Sequence, residues 1–239
     1  KRYFDPEANV FWKEGMMNSV RAKQSATLMH DGRVLIAGGG DASATAQNSA
    51  EVYDPASGKF TTVPPMNSPR KEQQAILLSN SNVLLIGGVD AAGRVLASAE
   101  LFDPVTNHFT FTTTAFPGSG ANMSDGRYEN SATLLPDGRV LIAGGSDSVT
   151  FLNTAELYEP SRGSFICVGG SVTSSGGGCN SSLISARNLA SAAALTNGDV
   201  LIAGGVGPDG ILSAAELYNP SAGRFTSVAD LLKARGVAQ

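Results

Sequence analysis

Apolar residues in this chain come in short runs that return at intervals. Arg139–Ala143 (RVLIA) is a continuous β-branched run that ends in Gly144-Gly145. A strand that is apolar on both faces is expected in the middle of stacked sheets. A shorter run, Ser131–Leu135, precedes it, Ala155–Tyr158 (AELY) follows it, and a fourth strand is predicted to start at Phe165. The turns between these runs carry their own signals. Asp31-Gly32, Asn80-Ser81, Asp137-Gly138 and Asn197-Gly198 join the first two strands of four units. Asx-Gly between strands predicts a tight hairpin whose two central residues take positive φ, and Ser81 marks the weakest of the four turns. Strands three and four are joined by DPASGKF, DPVTNHF, EPSRGSF and NPSAGRF, with DPEANVF near the start of the chain. Proline fixes φ at the turn entry. Three residues later stands Asn9, Gly58, Asn107, Gly163 or Gly223, and glycine and asparagine are the residues that tolerate a left-handed backbone.

The four-strand text is written four times. Arg127–Gly145 (RYENSATLLPDGRVLIAGG) with Ala155–Phe165 matches Arg21–Gly39 with Ala50–Phe60, Arg70–Gly88 with Ala99–Phe109, and Arg187–Gly205 with Ala215–Phe225. The arginines lie 49, 57, 60 and 48 residues apart, counting on to Arg235. A period near 50 means one supersecondary unit stacked on its neighbours. Four antiparallel strands per unit predict the blades of an all-β propeller.

At this level the units resemble kelch repeats. A Gly-Gly pair closes the second strand, followed by a glutamate and an aromatic: Gly38-Gly39 with Glu51 and Tyr53, Gly87-Gly88 with Glu100 and Phe102, Gly144-Gly145 with Glu156 and Tyr158, Gly204-Gly205 with Glu216 and Tyr218. The aromatic on the outer strand is Phe11, Phe60, Phe109, Phe165 or Phe225. The wording DGRVLIAGG resembles bacterial secreted members. The resemblance divides the chain into a partial blade over 1–20, complete blades over 21–69, 70–126, 127–186 and 187–234, and the start of another at 235–239. Kelch propellers usually have six or seven blades. It therefore implies a piece of a longer propeller, completed by missing chain or by a second chain.

Composition narrows the chemistry. Of the 239 residues 42% are apolar, enough for a core, and the net charge is -4. An acidic chain lacks the basic face that phosphate binding wants, so nucleic acid is not an expected partner. The apolar runs are far too short to span a membrane. Cys167 and Cys179 stand in one insert, CVGGSVTSSGGGC, and are expected to form a disulfide, which points to an extracellular, periplasmic or cell-surface location.

Catalytic and metal signals are poor. His30 and His108 occupy hairpin turns, and the Tyr, His and Cys set of copper-oxidase kelch propellers is not matched. Gly205-x-Gly207-x-x-Gly210 is followed by a strand rather than a phosphate-facing helix, so it is no dinucleotide fingerprint. No catalytic residue, metal or cofactor is expected. Arg21, Arg70, Arg127, Arg187 and Arg235 each open a unit. They could ring the channel and grip acidic ligands, as arginines at this place do in some kelch proteins. One glutamate per unit (Glu51, Glu100, Glu156, Glu216) favours instead a buried, structural pair, because a charge inside stacked sheets needs a partner.

The expected function is that of a non-catalytic binding propeller outside the cytoplasm, recognising a protein or a glycan. The rivals are the propeller part of a secreted carbohydrate-active enzyme or galactose-oxidase-like oxidase, and a subunit of a surface assembly. Connections two-to-three and four-to-one should share one end of the propeller. From outer Phe to next Arg the chain takes 10 residues in three cases, but 18 after Phe109 and 22 after Phe165. Insertions on one face usually bind there. The expected contacts are Phe111, Phe116, Met123, Asp90, Asp147, Arg127 and Arg187, with Asn122 and Asn180 on the same connections.

Overall fold

The computed structural model describes residues 3–5, 10–12, 16–112, 121–169, 179 and 182–236, with side chains from residue 16 onward. Strands β1 (Tyr3–Asp5) and β2 (Val10–Trp12) form an antiparallel ribbon. The first blade is β3 (Ser25–Leu28), β4 (Val34–Ala37), β5 (Ala50–Asp54) and β6 (Lys59–Val63). The second is β7 (Gln74–Leu77), β8 (Val83–Ile86), β9 (Ala99–Asp103) and β10 (His108–Phe111). The third is β11 (Ser131–Leu134), β12 (Val140–Ala143), β13 (Ala155–Glu159) and β14 (Ser164–Cys167). The fourth is β15 (Ser191–Ala194), β16 (Val200–Ala203), β19 (Ala215–Asn219) and β20 (Arg224–Val228); a ribbon of β17 (Val206–Gly207) and β18 (Gly210–Ile211) sits in its second connection. Every sheet is antiparallel and its strands lie in chain order. Among the described residues there is no helix, and Val228–Ala234 (VADLLKA) forms none on its way to Arg235.

The first strands pack side by side, β3 on β7, β7 on β11 and β11 on β15, and so line the axis. The apolar second strands explain how blades stack. In β8, Val83 and Leu85 join a core with Leu35, Val52, Met66 and Phe102 on the first-blade side, while Leu84 and Ile86 join one with Val140, Ile142 and Tyr158 on the third-blade side. In β12 the alternation repeats, Leu141 and Ala143 facing Val200, Ile202 and Tyr218. Period-two alternation thus fills two interfaces from one strand. Across strands three and four the aromatics pair directly: Tyr53 on Phe60, Phe102 on Phe109, Tyr158 on Phe165 and Tyr218 on Phe225, with centroids 4.8 to 5.0 Å apart.

The first-to-second-strand turns differ from the expected tight pair. Each spans five residues (29–33, 78–82, 135–139, 195–199). Met29 N–H donates to the Arg33 carbonyl and Gly32 N–H to the Met29 carbonyl, and the other three turns repeat both bonds. Only the fourth residue of each is left-handed: Gly32, Ser81, Gly138 and Gly198, with φ of 83°, 74°, 86° and 89°. Asx serves through its side chain instead, Asp31 Oδ1 accepting from Arg33 N–H and Asp137 Oδ1 from Arg139 N–H.

Candidate functional site

One buried network recurs in every blade. The side chains of Arg21, Arg70, Arg127 and Arg187 are 0–1% exposed and reach Glu51, Glu100, Glu156 and Glu216 at 2.9, 2.8, 2.9 and 2.7 Å. The second guanidinium nitrogen donates to the first Gly of each Gly-Gly pair, at Gly38, Gly87, Gly144 and Gly204. Each glutamate also receives backbone N–H groups from the incoming connection: Asn18 and Ser19, Asn67 and Ser68, Ser124, or Ile184 and Ser185. Burial pushes the Glu51 carboxyl up, but the Asn18 N–H, Arg21 and the Ser19 N–H outweigh it and hold it below its usual value. Burial pushes Glu156 up, and Arg127 offsets this only partly. It also lowers Arg70, against the pull of Glu100.

Glycine is required at the first position of the pair. A Cβ on Gly87 would stand 2.2 Å from the Arg127 carbonyl oxygen of the next blade, and one on Gly38 2.3 Å from that of Arg70. The second glycine donates its N–H to that same carbonyl. The arginine thus closes its own blade with its side chain and joins the preceding blade with its backbone.

The two ends of the propeller differ. Turns of five residues and of four (55–58, 104–107, 160–163, 220–223) occupy one end. The other carries the two-to-three connections and the passages between blades, as the bridges Ala22 to Gly40, Lys71 to Val89 and Tyr128 to Ser146 show. Among the described residues Met16, Val20, Val149, Ile184, Ile211 and Leu232 are large exposed hydrophobics on this second end, against Leu28, Val105 and Leu195 at the first.

Close to the axis at the same end lies a ring that the sequence did not suggest. Lys23, Glu72, Glu129 and Leu189 stand two residues after each arginine and are all left-handed, with φ of 58°, 59°, 54° and 51°. Their backbones are linked blade to blade: Glu72 N–H donates to Lys23 O (3.0 Å), Glu129 N–H to Glu72 O (3.3 Å) and Leu189 N–H to Glu129 O (2.9 Å). Lys23 Nζ binds the Glu72 carboxylate, and Asn188 Nδ2 donates to Glu129 Oε2 at 2.8 Å. Burial first, and the Glu72 carboxylate second, raise the Glu129 carboxyl above its ordinary value, against Lys23 and Asn188. The signal available was position alone, since the four positions carry a lysine, two glutamates and a leucine.

The contacts expected from the sequence are dispersed. Phe111 is exposed at the end of β10. Met123 is 4% exposed, packed between blades two and three, and Asn122 beside it is exposed. Asp90 pairs with Arg94 and caps its own loop, and Asp147 caps its loop through the N–H groups of Val149 and Thr150. Arg127 and Arg187 are committed to the buried network. Phe116 and Asn180 lie outside the described residues. His30 is exposed in the 29–33 turn, but His108, expected in a turn, is the exposed first residue of β10, paired with Asp103.

Cys167 and Cys179 are disulfide-bonded. Cys179 lies with Asp125 and Glu156 in one group whose ligand atoms are within 4.8 Å. That group is chemically occupied: its sulfur is in the disulfide, Glu156 holds Arg127, and Asp125 accepts from Thr154. Among the described residues no helix is long and apolar enough to cross a membrane.

No curated protein matches the chain. Residues 21–67, the first blade and its approach to the second, match the Kelch motif family. The three units that follow repeat the strand order, Gly-Gly pair and buried arginine of that matched unit, so all four blades are built as the Kelch-matched one is.

Proposed function

We propose that this is a non-catalytic binding propeller of an extracytoplasmic protein, which takes up a protein or glycan ligand on the end carrying the inter-blade connections. Kelch repeats generally mediate protein binding. The observation that carries the reading is the difference between the ends. The turns at one end keep five and four residues in all four blades. At the other end the passages between strands grow from 64–73 to 112–130 and 168–190. Repeat proteins place such variation where they bind. Six exposed large hydrophobics share that end, with Phe111 at the root of one long passage. The disulfide at the root of the other supports an oxidising compartment.

The test is a screen on printed glycan and peptide arrays, followed by replacement of 113–120 and 170–178 with Gly-Ser segments of equal length. These replacements spare Met123, Ser124 and both cysteines, which belong to the blades. Array binding should be lost while the melting temperature is kept. Binding that survives both replacements, or that is lost instead on substituting Asn80 and Arg139 at the opposite end, would overturn the assignment.

A further inference from the structure

We propose that the axial mouth formed by Glu72, Glu129 and Asn188 is a receptor for a guanidinium group, presented by an arginine side chain of a partner protein. The site is built by three consecutive blades and does not depend on the long connections. The blade-to-blade hydrogen bonds between residues 23, 72, 129 and 189 fix how closely these groups approach.

The cluster is short of donors. It holds two carboxylates and one ammonium, so one negative charge is left over. Each carboxylate accepts one bond in the cluster, Glu72 from Lys23 and Glu129 from Asn188, and an ionised carboxylate has room for about four. Asn188 is 8% exposed, and its Oδ1 has no hydrogen-bond partner. Asn188 Nδ2 is bonded to Glu129, which sets the planar carboxamide beside that carboxylate. A buried acceptor without a donor is costly, and such groups normally have partners. A guanidinium brings a positive charge and five N–H donors in one plane, which matches two carboxylates and an amide oxygen better than the single point of an ammonium does. Lys23, whose side chain is 62% exposed, can move to water as the new cation enters. The raised Glu129 carboxyl is consistent with negative charge that Lys23 alone does not neutralise.

The probe is argininamide, which carries a guanidinium and no carboxylate, titrated into the ¹⁵N-labelled full chain. Saturable shifts are expected at the amides of Glu72, Glu129 and Leu189. Glu72→Gln and Glu129→Gln should each weaken binding about tenfold, as for loss of a charge-assisted hydrogen bond, while Leu189→Ala should not. Thermal melts of both glutamine variants confirm that the fold is kept. The absence of shifts through the millimolar range would overturn the proposal, as would shifts indifferent to both substitutions. So would calcium chloride at matched ionic strength moving the same amides more tightly than argininamide, since the mouth would then be a metal site. A chain with 113–120 and 170–178 replaced should keep its response to argininamide even where array binding is lost. That separates failure of this inference from failure of the binding-end assignment.

Discussion

At the residue scale, the arginine of each unit decides whether a blade closes. Arg70 binds Glu100, the Gly87 carbonyl and the Ser98 carbonyl with its side chain fully buried. Arg70→Ala leaves the Glu100 carboxylate buried and without its counter-charge, so a loss of about 3–5 kcal/mol is expected, read from the denaturant midpoint. An unchanged midpoint with loss of ligand would assign the arginines to recognition instead. Glu129 offers a pH test. Burial and Glu72 raise its carboxyl above the ordinary value, so the folded chain binds this proton more tightly than the unfolded chain. Its contribution to stability is therefore present below the ordinary carboxylate pKa and is lost as pH rises through the raised one. Glu129→Gln removes that loss while keeping an acceptor for Asn188. The stability of the variant relative to wild type should rise from acid toward neutral pH; a flat difference across that range would refute the assignment.

At the scale of the element, two kinds of left-handed position behave differently. Gly87 and Gly93 belong to one connection and have φ of 63° and 80°. A Cβ on Gly93 meets nothing within 4 Å, whereas one on Gly87 runs into the backbone of the next blade. Gly93→Ala should cost only the left-handed penalty, about 1–2 kcal/mol. Gly87→Ala must move one blade against another and should fail to fold or melt far lower, in a side-by-side thermal scan. The turn at 78–82 carries the opposite opportunity. Ser81 holds a φ of 74° where the other three turns use glycine, and its hydroxyl contact to His30 is exposed. Ser81→Gly should stabilise by up to about 1 kcal/mol, measured by chemical denaturation.

At the scale of the whole molecule, each blade contacts its sequence neighbours and stability is shared through the interfaces. The Cys167–Cys179 bond pins the long passage from the third blade to the fourth at the edge of the Arg127 network. Closing a loop of this size is worth about 3 kcal/mol in the chain-entropy model. Protein from an oxidising compartment should show no free thiol by non-reducing mass spectrometry, and reductant should lower its melting temperature. Two free thiols in such material would remove the main support for a location outside the cytoplasm.

The blades themselves were legible in the chain. Strand order, the Gly-Gly pairs, the aromatic pairs and the one-to-one count of Arg and Glu all repeat, because every blade must solve the same local problem of stacking on two neighbours. The turn type was misread, since Asx-Gly serves a five-residue turn through the Asx side chain as readily as a two-residue one through its backbone. Exposure along the connections was not legible either: Met123 reads as a loop residue, yet the incoming chain folds it between two blades. Least visible was the axial ring. Lys23, Glu72, Glu129 and Leu189 are 49 to 60 residues apart in sequence and share a repeat position, but a lysine, two glutamates and a leucine make no common motif. Only the tertiary packing of blade on blade brings them within hydrogen-bond distance. A repeated sequence specifies the unit and its interfaces, but what four units present together at the axis depends on the residues in which they differ.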